Sequence, residues 1–143
     1  MCRGLYEDFS VIWLKMSRKS KGISAERELL HKFWANGWAC LRAAGSGSMR
    51  YPCIDLLAGN KIRKLAIECK TSKNKTKYFS EDDIEQLLEF AKIFGAEPWI
   101  AIRFDKNEWF FIFCEDLRRS GRSYAVDLDL AKSKGLLFEE LIK

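Results

Sequence analysis

The chain has 143 residues, 48% hydrophobic and 13% aromatic, enough for one sizeable core and no ground for a second domain. Its 25 Lys and Arg against 20 Asp and Glu give a net charge of +5 and a pI near 9, a bias toward polyanionic partners that many basic proteins share without binding one. Five cysteines without a C-x-x-C pair and a single histidine argue against structural zinc and a disulfide framework. No segment suits a membrane span, and Val11-Ile12-Trp13-Leu14 lacks a signal-peptide layout, so a reducing cytoplasmic setting is expected.

In chain order, residues 1–22 read as an N-terminal extension. It closes on the basic run Ser17-Arg18-Lys19-Ser20-Lys21-Gly22 and is expected to be flexible; residues 23–143 form one domain. Ser24 caps a predicted helix running to about Asn36, with Gly37 as its stop and Leu29, Leu30 and Phe33 as its apolar stripe. Trp38–Leu41 is a predicted strand. After the Gly45-Ser46-Gly47-Ser48 loop, Ile54–Ala58 and Leu65–Lys70 are predicted to form a hairpin around Gly59-Asn60.

Ser80, followed by Glu81, Asp82 and Asp83, opens a second helix that carries Ile84, Leu87, Leu88, Ala91 and Phe94 to Gly95. Trp99–Phe104 and Trp109–Cys114 form a second predicted hairpin across Asp105-Lys106-Asn107. A short strand near Tyr124–Leu128 and a helix over Leu137–Ile142 complete the chain. The implied fold class is α/β, a central mixed β-sheet flanked by helices.

Strand alternation puts Ala66, Glu68 and Lys70 on one face and Leu65, Ile67 and Cys69 on the other. A symmetric turn from Gly59 to Lys64 brings Asp55 opposite Glu68, where Cβ atoms lie roughly 5 Å apart and like charges repel unless a cation intervenes. Oxygen ligands without imidazole or thiolate on that face favour Mg²⁺, with Mn²⁺ possible, over zinc, and Lys70 is placed to steady water and transition-state charge. Glu26 lies on the apolar side of the first helix. It is either a further metal ligand or the ion-pair partner of Arg27, Arg42 or Lys70. An isolated E-x-K on a strand is an ordinary solvated face; the joint pattern of three carboxylates and a lysine points to a metal site.

The loop around Ser46 and Arg50 suits phosphate contact, or serves only as a connector. The run holding Lys73, Lys75 and Lys77 suits salt-dependent DNA backbone binding, or is a solvated loop. His31 reads as a helix-surface residue. Leu87, Phe90 and Phe94 widen the apolar face of the second helix beyond one sheet contact, leaving a dimer interface or a broad core helix as alternatives.

These residues resemble the archaeal Holliday junction resolvases, a branch of the restriction-endonuclease-like nucleases. The ordered similarity covers Ala25-Glu26-Arg27-Glu28-Leu29, Arg42-Ala43-Ala44-Gly45-Ser46-Gly47-Ser48, Asp55-Leu56-Leu57-Ala58-Gly59, Ile67-Glu68-Cys69-Lys70, Leu88-Glu89-Phe90-Ala91 and Leu117-Arg118-Arg119, about residues 20–142. Pro52 departs from the wider motif by standing three residues before Asp55 rather than beside it.

The resemblance implies a restriction-endonuclease-like fold and a metal-dependent nuclease that resolves four-way DNA junctions by paired cuts. Asp55, Glu68 and the Cys69 carbonyl hold its metal, Glu26 completes the acidic site and Lys70 is catalytic. Arg27, Arg42 and Ser46 contact the DNA backbone, and the working unit is a symmetric dimer acting in the cytoplasm on the nucleoid, without membrane or small-molecule cofactor. The alternatives are a restriction or repair endonuclease with another DNA substrate and a non-catalytic nucleic-acid-binding protein.

Overall fold

Ala25, Leu29 and Phe33 recur at helical spacing and are buried, which defines the inner face of α1 (Arg18–Ala35). The structure is a computed structural model that describes residues 18–44 and 50–143. Helix α1 starts six residues before Ser24, so Ser24 is an interior, buried residue and not the cap expected from the sequence. Once Ala25, Leu29 and Phe33 are packed against the sheet, an upstream turn adds hydrogen bonds at little nucleation cost. Gly37, at φ 80°, ends the helix as predicted, in a left-handed conformation that glycine adopts without strain.

Next come β1 (Ala39–Arg42), β2 (Leu56–Gly59), β3 (Lys64–Ser72), β4 (Thr76–Ser80), α2 (Glu81–Phe94), β5 (Glu97–Phe104) and β6 (Trp109–Phe113). A 3₁₀ turn at Cys114–Asp116 leads to β7 (Arg118–Ser120), β8 (Ser123–Asp127), α3 (Leu128–Lys134) and α4 (Phe138–Leu141). The central sheet has the order β1-β2-β3-β5-β6, with β3 and β5 parallel and the other pairs antiparallel. It is the mixed sheet flanked by helices that the sequence implied.

The β2–β3 register pairs Gly59 with Lys64 and Leu56 with Ile67, as the symmetric turn required. Asn60 makes that turn: its carboxamide oxygen accepts the N–H groups of Ile62 and Arg63 at 2.8 and 2.7 Å. One core lies between the sheet and α1 with α4, centred on Leu29, Phe33, Leu65, Ile67 and Phe111. The other lies beneath α2 and α3 and holds Ala66, Ile84, Leu87, Ile100 and Ile112.

A second, antiparallel sheet, β4-β8-β7, was not anticipated beyond the strand at β8. Its strands are short and polar, and β4 and β7 are held through pairing with β8, a long-range contact that local periodicity does not reveal. Ser80 caps α2 as predicted, its hydroxyl accepting the Asp83 N–H at 3.1 Å, which contributes about 1 kcal/mol.

Candidate active site

The alternation read from β3 holds in three dimensions. Leu65, Ile67 and Cys69 enter the α1-side core and Ala66 enters the α2-side core, so Glu68 and Lys70 share the α2 side near the carboxyl end of the strand. Lys70 Nζ lies 3.3 Å from Glu68 Oε1.

Asp55 immediately precedes β2, where the sequence had placed it inside the strand. Its N–H donates to the Ile67 carbonyl at 3.1 Å, its carbonyl accepts the Ala43 N–H at 2.9 Å, and its Oδ2 accepts the Cys69 N–H at 2.8 Å. The side chain thus takes the β3 donor that a regular continuation of β2 would have used. That substitution explains how an aspartate can be only 7% exposed and still sit at the open end of the sheet.

The carboxylates repel one another. Burial, then the charge of Asp55, raises the Glu68 carboxyl to about 8, against the pull of Lys70. Burial followed by Asp55 also raises Glu26, although Arg42 opposes the shift. For Lys70, burial acts downward, but Glu68, Asp55 and Asp83 outweigh it and hold the ammonium above the ordinary lysine value. The lysine therefore stays charged.

Asp83, in the first turn of α2, acts on both Glu68 and Lys70. Sequence reading took it only as a helix-start acid; its spacing one turn before Leu87 was the available signal.

Glu26 does not close a three-carboxylate cluster. Arg42 Nη1 meets its Oε2 at 3.1 Å, and both side chains are largely buried. This is the ion-pair alternative left open by the sequence. Among the described residues no three His, Cys, Asp or Glu side chains form a set able to hold a metal by themselves. Asp55 and Glu68 are the hard oxygen donors that could hold a cation here. The Cys69 thiol is no thiolate donor, because it faces the α1-side core and burial pushes its pKa well up.

The expected DNA-facing residues divide. Arg27, Arg50, Lys73 and Lys75 are exposed, as is His31, whereas Arg42 is occupied by Glu26. Ser46 lies outside the described residues. Lys77 is not in a loop: it belongs to β4, on the same side as the buried Phe79, and is half-buried for that reason. A further ion pair, Arg103 with Glu28, joins β5 to α1 and was missed because nothing local links the two positions.

On α2, Leu87 is 0% exposed and belongs to the inner core, which removes it from the expected interface. It follows Ile84 and precedes Ala91 at helical spacing, and these three form the inward stripe. Phe94 is 44% exposed and stacks on the half-buried Phe90 with centroids 5.6 Å apart.

The family model for archaeal Holliday junction resolvases (Hjc) matches residues 17–143. The chain belongs to this family. The crossover junction endodeoxyribonuclease Hjc of Archaeoglobus fulgidus is 40% identical over 129 residues, covering 85% of this chain and 95% of that protein. The Methanocaldococcus jannaschii Hjc is 39% identical over 122 residues, 85% and 86% of the two chains. The 1.6 Å structure of A. fulgidus Hjc, a Holliday junction resolvase from an archaeal hyperthermophile, superposes with a TM-score of 0.80 at 37% identity, over 85% of this chain and 100% of that one. Family membership thus spans the whole described domain and agrees with the resemblance carried by Glu26, Asp55 and the Glu68-Cys69-Lys70 segment.

Proposed function

We infer that the chain is a crossover junction endodeoxyribonuclease, which hydrolyses phosphodiester bonds in four-way DNA junctions. The supporting observation is the meeting of Asp55, Glu68 and Lys70 at the open end of β3 in a chain of the Hjc family.

Asp55, Glu68 and the carbonyl of Cys69 are the proposed holders of Mg²⁺ or Mn²⁺. When bound, such an ion polarises a phosphate oxygen and acidifies a water. A divalent cation held there would relieve the repulsion between Asp55 and Glu68. Lys70, held charged, faces the growing negative charge on the phosphate and steadies the attacking water. Glu26, held by Arg42, lends its charge to the margin of the site without joining the metal-holding pair. Arg27, Arg50, Lys73 and Lys75 offer exposed positive charge to the DNA backbone, with Ser46 and the neighbouring glycines as further phosphate contacts.

Two opposed cuts need two sites, and a two-fold dimer supplies them. Phe94 with Phe90 on α2 is the proposed interface, and nucleoid DNA in the cytoplasm is the proposed setting. Among the described residues no helix is long and apolar enough to cross a membrane.

The test is cleavage with Mg²⁺ of a labelled four-way junction beside linear duplex, flap and single strand. Preferential, paired incision of the junction is expected. Preference for duplex or flap would make the chain a restriction or repair nuclease, and no scission with any substrate would leave a binding protein.

A further inference from the structure

Among the described residues Lys70 has one carboxylate within ion-pair distance, Glu68, and on the reading above Glu68 is also a metal ligand. Both tasks draw on the same oxygens. Once a cation shares the Glu68 charge, the attraction that holds the Lys70 ammonium weakens.

The topology supplies a second carboxylate. Strands β3 and β5 are parallel, so α2 between them must run back along β3. Its carboxyl end lies at the start of β3, where Lys64 Nζ donates to the Phe94 carbonyl at 3.3 Å and stands over the Phe94 ring. From Phe94 back to Asp83 the helix rises about 16 Å. From Lys64 forward, β3 reaches Glu68 after about 13 Å and Lys70 after about 20 Å. Asp83 therefore stands level with the Glu68-Lys70 pair.

Its direction is also set. Asp83 lies one turn before Leu87 and beside Ile84, both fully packed against the sheet face that carries Ala66, Glu68 and Lys70. Asp83 is half-buried and Asp82 is exposed, and of this adjacent pair it is Asp83 whose charge bears on Glu68 and Lys70. The upward effect of Asp83 on both Lys70 and Glu68 agrees with this placement.

We propose that Asp83 is a positioning residue of the nuclease centre, the carboxylate that keeps the Lys70 ammonium aimed at the reacting phosphate while Glu68 serves the metal. The inference rests on the nuclease reading given above.

The experiment compares full-length wild type with Asp83→Asn, Asp83→Glu and Asp82→Asn. The measurements are single-turnover junction cleavage in Mg²⁺, junction Kd in Ca²⁺ and thermal unfolding. Asp83→Asn should cut about tenfold or more slowly while binding the junction within about twofold of wild type. Asp83→Glu, which keeps the charge, should recover much of the rate, and Asp82→Asn, which shares only the helix-terminus position, should leave it unchanged. A rate for Asp83→Asn equal to that of Asp82→Asn, or a faster one, overturns the proposal, as does failure of Asp83→Glu to recover it. Absence of junction cleavage by the wild type would instead overturn the nuclease reading.

Discussion

The Asp55 carboxylate accepts the backbone N–H of Cys69 at 2.8 Å, so one side chain both ends the β2 ladder and presents charge to Glu68. The amide oxygen of asparagine accepts the same bond. Asp55→Asn is therefore expected to keep its fold, bind junctions in Ca²⁺ and lose at least about 100-fold in cleavage, as removal of a metal ligand should cost several kcal/mol in the transition state. Asp55→Ala orphans a buried N–H as well, and its stability should fall by about 1–3 kcal/mol. Thermal unfolding beside cleavage of a labelled junction separates the two effects; cleavage by Asp55→Asn close to the wild-type rate would remove Asp55 from the metal site.

Glu68 should impose an unusual pH dependence on the metal-free protein. Its carboxyl rises from an ordinary 4.5 to about 8 on folding, so between those values the folded chain holds a proton that the unfolded chain has lost. This contribution to stability is complete below about pH 4.5 and disappears as the pH climbs through 8, and the upward shift of Glu26 acts in the same sense. Unfolding in EDTA should therefore become easier from pH 6 to pH 8.5, and Glu68→Gln should flatten the trend and raise Tm at the alkaline end by roughly 3 °C or more. Mg²⁺ requires the ionised carboxylate, so its binding should strengthen over the same range. A wild-type Tm in EDTA that climbs steadily with pH would contradict this.

The exposed lysines of the β3–β4 loop carry a prediction about binding alone. Lys73→Ala with Lys75→Ala should weaken junction binding and reduce the slope of log affinity against log salt by about one to two, reflecting two lost phosphate contacts. Adding Lys77→Ala should change the slope little, because that side chain turns toward the core side of β4. Equal effects from all three lysines would return Lys77 to the DNA-facing set.

For the proposed dimer, Phe94 is the position to change. A glutamate at Phe90 disturbs a side chain that packs on the core, and one at Leu87 disrupts the core itself, whereas Phe94 is 44% exposed. If Phe94 lies in the proposed interface, Phe94→Glu should dissociate the dimer by burying charge there, leaving folded monomers that nick a supercoiled cruciform plasmid and do not linearise it in one binding event. Light scattering and the plasmid assay report the two outcomes. A variant that stays dimeric and still linearises the plasmid moves the interface elsewhere.

What the sequence determined by itself was mostly local. Alternation along residues 64–70 assigned Glu68 and Lys70 to one face, the turn at Asn60 set the register toward Asp55, and Ser80, Gly37 and Gly95 marked helix ends, because each depends on neighbours a few residues away. Tertiary structure decided what distant segments share. It gave Glu26 to Arg42, drew Leu87 inward, lengthened α1 past Ser24, held β4 and β7 against β8, and brought the charge of Asp83 to bear on Lys70. Apolar and charged positions show their periodicity in the chain, but which partner satisfies each of them depends on contacts across the sheet, where burial strengthens electrostatics and excludes water.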